Sequence, residues 1–350
     1  MSTILIYGSY GYTGKLITAQ ALEQGLRPIL AGRNADKVRA QAKAHELEYR
    51  AFSLDDSQAL DSALREVDLV IHCAGPFVHT FRQMAEACLR TDTHYLDISG
   101  EIPGFEALAA LDPEAKSAGV MLLPGAGFDV VPSDCLSAHL KRQLPSATQL
   151  RLFIRSVRGG FSRGTATSAI ENLQRQGMIR RAGQLEQVPP AWKTVEIDFG
   201  RGPVKVVSVG WGDVSTAYYS TGIPNIETYM AFPASAIRMM HLTRHIGPLL
   251  YNRPAKSLLK GLLKLQPEGP SDEQRSHSFS LIIAEARDDS GRRVRAHLRT
   301  PDGYSLTALT TVAIAQRLLK DDFKPGFQTP SLAYGADFIL EFEGVKRTDL

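Results

Sequence analysis

Only three of the 350 residues are cysteine, Cys73, Cys88 and Cys135. They form no CxxC pair and no metal-ligand spacing, so neither a disulfide framework nor a zinc site is expected, and a reducing cytoplasm fits. Net charge is scarce too: 40 basic and 37 acidic residues leave +3, too little to imply a nucleic-acid partner. No uninterrupted apolar run approaches the ~18 residues that span a bilayer. The chain enters an apolar strand at once, with no basic and apolar leader, so the expectation is a cytoplasmic protein, neither secreted nor integral to a membrane. Internal repeats and low-complexity segments are missing as well. What remains, 43% hydrophobic and 22% charged residues, is the composition of an ordinary globular chain, long enough for two domains and a sizeable core.

The most informative segment comes first. Ile4–Tyr7 reads as an apolar strand and runs into a turn with glycines at 8, 11 and 14, interleaved with Tyr10, Tyr12 and Thr13. Gly8 allows a tight turn off the strand, Gly11 lets backbone N–H groups approach a pyrophosphate, and Gly14 lets the following helix pack close to the sheet with its positive end toward the phosphates. That helix is expected from Tyr12 to near Gly25. About twenty residues on, a second apolar segment, Pro28–Ala31, ends in Gly32-Arg33-Asn34, where an NAD site would place an acidic residue on the ribose. Arg33, with Lys37 one turn further, suits a 2′-phosphate, so the cofactor expected is NADP(H). The other reading of Arg33 is a solvated cation after a strand.

Short apolar runs alternate with helical patterns through the first 125 or so residues, the mark of a doubly wound parallel sheet. Strands are expected at Thr3–Tyr7, Arg27–Ala31, Tyr49–Ala51, Leu69–Cys73, Tyr95–Ile98 and Val120–Leu123, with helices at Ser57–Arg65, Thr80–Arg90 and Phe105–Ser117. Longer alternating segments follow from about Ala147, at Gln149–Val157, Val204–Val209, Phe279–Ala286 and Arg293–Leu298, and Asp288-Asp289-Ser290-Gly291 marks a hairpin turn. The expected class is therefore α/β: a Rossmann-type domain over 1–130, a second α+β domain for substrate or dimerisation over 131–325, and a return to the first domain over 326–350. In a doubly wound sheet, ligands bind at the carboxyl ends of the strands. Asp55 after the third strand is placed to reach an adenine amino group, whereas its neighbour Asp56 also reads as a helix N-cap. Ala74-Gly75-Pro76 after the fourth lets the chain pass close to a cofactor.

Several segments together resemble the saccharopine dehydrogenase-like family, in its bacterial branch that includes trans-acting enoyl reductases. They are Gly8–Gly14, Ala31–Asn34, Cys73–Phe77, Tyr95–Glu101, Gly125–Asp134, Lys324–Pro330 and Tyr334–Phe338. The resemblance implies an N-terminal Rossmann domain holding NADP(H) and a second α/β domain over the nicotinamide. It leaves three functions open: reduction of an activated C=C bond such as an enoyl thioester, reduction of a C=N bond or oxidation of an amine, and NADP binding without turnover. The arginines that would bind a dicarboxylate amino acid are not identifiable here, which weakens the amine reading.

Hydride transfer asks little of side chains beyond positioning and a placed acid. Tyr95, Asp97 and Asp129 are the candidate catalytic residues, with Glu101, Asp134 and His72 also near strand ends. Each has a structural reading too: Asp97 as a loop brace, Asp134 as a first-turn carboxylate, His72 as a core residue. Arg158–Thr165, glycines and hydroxyls between two arginines, reads either as a segment that closes over an anionic substrate or as a hairpin connection. Lys256, Lys260 and Lys264 with interleaved leucines predict a basic amphipathic helix over 256–265, able to meet an acyl-carrier protein or an anionic membrane, or simply solvated. The partners expected are thus a small-molecule or carrier-bound acyl substrate and a second copy in a homodimer.

Overall fold

The computed structural model describes residues 3–172, 177–250, 261–263, 265 and 267–350. The chain divides into two compact units, one of Met1–Val131 with Tyr304–Ala333 and one of Pro132–Gly303 with Tyr334–Leu350.

In the first unit, β1 (Ile4–Tyr7), β2 (Ile29–Gly32), β3 (Tyr49–Ala51), β4 (Leu69–His72), β5 (His94–Asp97) and β6 (Met121–Leu123) form a parallel sheet. The strand order is β6-β5-β4-β1-β2-β3, and a short strand at Gly326–Phe327 pairs parallel to β6 at the edge. Residues of β1 and β4 are buried throughout, as expected of strands covered on both faces. The chain reverses direction across the sheet between β1 and β4, and such a switch point opens a crevice at the carboxyl ends. Helices α1 (Tyr12–Glu23), α2 (Ala35–His45), α3 (Ser57–Leu64) and α4 (Phe81–Thr91) connect the strands. The expected helix over 105–117 is two, α5 (Ile102–Ala110) and α6 (Asp112–Ser117), with Pro113 in the first turn of the second, because proline starts a helix better than it continues one.

The expected domain limits shift at the C-terminal side. The return to the first unit starts at Tyr304, not 326, because the helix Gly303–Leu318 is tied there by Thr310, whose hydroxyl donates to the Ala126 carbonyl at 2.7 Å. It ends at Ala333; beyond that, strand Lys346–Asp349 pairs antiparallel with the strand Arg293–Pro301 of the second unit.

The second unit is built on a mixed sheet of nine strands among the described residues. At its centre lie β7 (Gln149–Val157), β12 (Asn225–Ala231), β13 (Phe279–Arg287) and β14 (Arg293–Pro301), with β7 and β12 parallel and β7, β13 and β14 antiparallel. The strands β8 (Gly177–Arg181), β9 (Gln184–Val188), β10 (Thr194–Asp198) and β11 (Pro203–Ser208), with Lys346–Asp349 beside β14, complete it. No helix among the described residues is long and apolar enough to cross a membrane, and they hold no cluster of metal-ligating side chains. Residues 256–260 and 264 of the expected basic helix lie outside the described residues.

Candidate functional site

The expected cofactor-binding residues and the candidates Tyr95, Asp97 and Asp129 fall in the first unit, at or near the strand carboxyl ends, whereas Asp134 and the Arg158–Thr165 segment belong to the second. Gly8 has φ +83°, and a Cβ there would stand 2.9 Å from the Ala74 amide nitrogen. The β1 and β4 loops therefore touch backbone to backbone, and only glycine fits between them. At Gly14 a Cβ would meet the Gly8 and Ser9 carbonyls at 2.5 and 2.8 Å, so this glycine seats α1 against the turn. Gly11 is the N-cap of α1 and supplies no capping side chain, and the first turn carries no acidic residue. A helix start of this kind suits a phosphate, which meets backbone N–H donors and the positive end of the helix with no carboxylate in the way.

At the end of β2, Arg33 is exposed and forms no ion pair among the described residues, since neighbouring Asp36 is paired with Arg39. Its guanidinium thus remains available for a phosphate. Asn34 spends its side chain accepting from the Lys37 N–H at 3.0 Å to cap α2. Lys37 lies with its Nζ 5.8 Å from the centre of the Tyr10 ring, which packs on Leu30, Val38 and Ala42. Tyr10 and Asn34 accordingly shape this edge, while Arg33 and Lys37 carry its charge. Asp55 sits in a turn with Ser53, whose hydroxyl donates to it at 3.2 Å, and Asp56 caps α3 through the Ala59 N–H. The ends of β1, β2 and β3 converge at Tyr7: its hydroxyl donates to the Phe52 carbonyl, and burial pushes its pKa up to about 12, with Asp55 adding to the rise and Arg33 opposing it.

Beyond the switch point, carboxylates bind the loops together. Tyr95 is fully buried and donates its hydroxyl to Asp97 Oδ2 at 2.6 Å. Asp97 Oδ1 accepts from the Ser99 and Gly125 amides at 2.9 and 2.8 Å. Burial raises the Asp97 pKa to about 6 despite these donors. The pair braces β5 against the loop after β6, and neither side chain reaches the surface. Glu101 accepts from the Phe77 and Val78 amides at 3.1 and 2.8 Å, fixing the turn that follows Ala74-Gly75-Pro76. His72 is buried, with its Nε2 at 2.9 Å from the Thr80 hydroxyl, and burial alone drops its pKa to about 3, so it is a neutral core group. Asp134 is buried in the first turn of the helix Val131–Gln143.

Asp129 is different. It is half-buried, and its carboxylate lies over Gly100, where a Cβ would come within 2.8 Å of Oδ2. Burial, reinforced by the negative charge of Glu101, raises its pKa to about 7. A partly exposed carboxyl whose pKa burial lifts toward neutrality is suited to donating a proton. The loop that carries it is held by Thr307, whose hydroxyl accepts from the Phe128 amide at 3.0 Å, and one turn earlier on the same helix Tyr304 meets the Tyr12 ring edge-on at 5.0 Å. Neither Thr307 nor Tyr304 was singled out by the sequence, and no local signal marks residues that act on a turn so far away in the chain.

In the second unit, the Arg158–Thr165 segment is bonded within its own fold. Ser278 donates to the Arg158 carbonyl at 2.7 Å, and the Ser162 hydroxyl accepts from the Thr165 amide as the helix Arg163–Asn172 begins.

Residues 4–123 match the family model described as the saccharopine dehydrogenase NADP binding domain. A protein bearing the name trans-acting enoyl reductase in Mycobacterium tuberculosis is 30% identical over 185 residues, 49% of this chain and 44% of its own. The saccharopine dehydrogenase-like oxidoreductase of Homo sapiens is 24% identical over 213 residues, 53% of this chain and 49% of its own. The chain thus spans about half the length of these curated relatives. Among solved structures, the apo saccharopine dehydrogenase (L-Glu forming) of Saccharomyces cerevisiae covers all of both chains with a TM-score of 0.67 at 15% identity, a likeness of fold. The glycine turn and strands β1–β6 of the parallel sheet lie within the residues that match this NADP-binding domain.

Proposed function

We propose that the chain is an NADP(H)-dependent oxidoreductase that reduces an activated carbon–carbon double bond, of the kind found in an enoyl thioester. The observation that carries the reading is Asp129, a carboxyl titrating at about 7 on the same strand-end rim as the glycine turn. NADPH, when bound, supplies the hydride. The chain's own work is to hold the nucleotide by the first turn of α1 with Arg33 and Lys37 at its ribose phosphate, and to deliver a proton. Asp129 delivers it to the carbon next to the thioester carbonyl and is left as the carboxylate. Tyr95 and Asp97, inaccessible and bonded to one another, are positioning residues that keep the Gly125–Asp129 loop in place. The name borne by the mycobacterial relative supports the choice of bond.

The test has two stages. In calorimetry, NADPH binds more tightly than NADH to the wild type, and Arg33→Ala removes most of that preference, about tenfold to a hundredfold for a lost charge-assisted phosphate contact. NADPH oxidation is then followed over a panel of enoyl thioesters and imines, with Asp129→Asn as control. Turnover of enoyl thioesters that collapses in the variant is the expected result. Turnover of imines alone assigns C=N chemistry, and binding without turnover of any substrate assigns a nucleotide-binding protein; either outcome overturns the proposal.

A further inference from the structure

The open face of the second unit's sheet gathers arginines around one carboxylate. Arg151 on β7, Arg293 and Arg295 on β14 converge on Glu285 of β13 at 3.8, 3.4 and 3.7 Å. Arg287, one residue pair along β13, lies opposite Arg293 in the ladder. With Gln149 and Gly291 these side chains line a recess of about 280 Å³. The recess itself holds Arg151, Arg287, Arg293 and Glu285, and Arg295 stands behind it, so the cationic groups outnumber the carboxylate four to one.

Three facts argue that this is more than a set of solvated ion pairs. The guanidinium groups make no hydrogen bond among the described residues, and the Nε of Arg295 is buried with the Glu285 carboxylate 3.7 Å away, beyond hydrogen-bond reach. The remaining carboxylates nearby are spent: Glu227, beside Arg151 across the ladder, accepts from Lys193 at 2.6 Å and from the Tyr229 hydroxyl, and Asp288 holds Ser146, Ser290 and Arg292 in the hairpin turn. Arg151 and Arg293 keep 47% and 56% of their side chains exposed, so a ligand can reach the donors that Glu285 leaves unused. Extended strands hold these groups in fixed register, and guanidinium forks match phosphate oxygens in pairs.

We infer that this recess is a binding site for a soluble phosphorylated anion, separate from the nucleotide turn of the first unit. Phosphate oxygens take the open donors of Arg151, Arg287 and Arg293, while Glu285 aligns the arginines and limits affinity by its own charge.

The experiment is titration calorimetry of the full chain, its nucleotide turn first saturated with NADPH, with inorganic pyrophosphate and inorganic phosphate. Pyrophosphate binds saturably, more tightly than phosphate. The double variant Arg151→Gln, Arg293→Gln weakens it by about tenfold or more, and Arg33→Ala leaves it unchanged. Glu285→Gln tightens binding several-fold by removing the competing negative charge, an effect that a purely structural ion pair would not produce. Absence of saturable binding, equal affinity in the double variant, or loss in Arg33→Ala alone overturns the inference. So does binding to vesicles of phosphatidic acid in phosphatidylcholine without binding of free pyrophosphate. NADPH binding that persists in the double variant shows that the variant folds and that the two sites are independent.

Discussion

Replacing Asp129 by Asn tests the physical basis of the proposed proton donor before any substrate is known. The unfolded carboxyl ionises at its ordinary value of 3.8, and the folded one at about 7. Between those values the folded state holds a proton that the unfolded state has released, so stability is full below pH 3.8 and falls as pH rises through the window. Each pH unit costs about 1.4 kcal/mol, and the whole window integrates to about 4 kcal/mol. Because the side chain is half-buried, solvent screening reduces the expected loss to about 2–3 kcal/mol. Asn is uncharged throughout, so the variant loses this pH dependence and is the more stable protein at pH 8 by about that amount. His72 acts in the opposite sense. Its pKa falls from 6.5 to about 3 on folding, so its contribution is present above pH 6.5 and lost as pH falls. The two effects overlap, and only the difference between wild type and variant isolates Asp129. Urea denaturation at pH 5, 6, 7 and 8 supplies that difference. A difference that stays flat across pH 5–8, or a variant less stable at pH 8, would refute the reasoning.

The remaining predictions concern the turn and the brace. Gly8→Ala places a Cβ against Ala74 in a left-handed backbone, whereas Gly25→Ala, at φ +76°, meets nothing within 4 Å. Both variants pay about 1 kcal/mol in backbone strain, but only Gly8→Ala weakens NADPH binding, by tenfold or more in calorimetry; equal binding by the two would show that the contact is immaterial. Tyr95→Phe removes one of three donors to a buried carboxylate, at about 1–3 kcal/mol. The loss of that donor raises the Asp97 pKa further, so denaturation should show a greater loss at pH 8 than at pH 5, and an equal loss at both would contradict the assignment of Asp97 as a charged brace.

Local chemistry explains what the sequence made legible. The glycine turn, the alternation of strands and helices and the hairpin at Asp288–Gly291 depend on residues close in the chain, and each lies in the structure where its pattern placed it. The capping role weighed for Asp56 is equally local and is observed at the Ala59 amide. The β8–β9 hairpin went unread because its side chains are polar on both faces, as in Gln184–Val188, leaving no two-residue period. The candidate site was legible only in part, since proximity across loops leaves no trace in a single sequence. The influence of Glu101 on Asp129 and the anchoring of Phe128 by Thr307, 179 positions away, arise only when separate strand ends meet. The same holds for Tyr95 and Asp97: residue type and strand-end position made them candidates for catalysis, and burial against each other makes them a brace.

The interleaving of the two units bears on the order in which a ribosome can build them. The sheet of the first unit lacks its Gly326–Phe327 edge strand, and the loop after β6 lacks its threonine anchors, until residues 304–333 have emerged. The second unit in turn waits for Lys346–Asp349 to close beside β14. Neither can mature as an independent early product of translation. A nascent chain stalled after Val131 would expose the flank of β6 and leave the Ala126 carbonyl without its Thr310 donor. Completion of both units is therefore deferred to the same late stretch of synthesis, which couples their quality control: a chain truncated there presents two unfinished sheets to the cell's proteases instead of one.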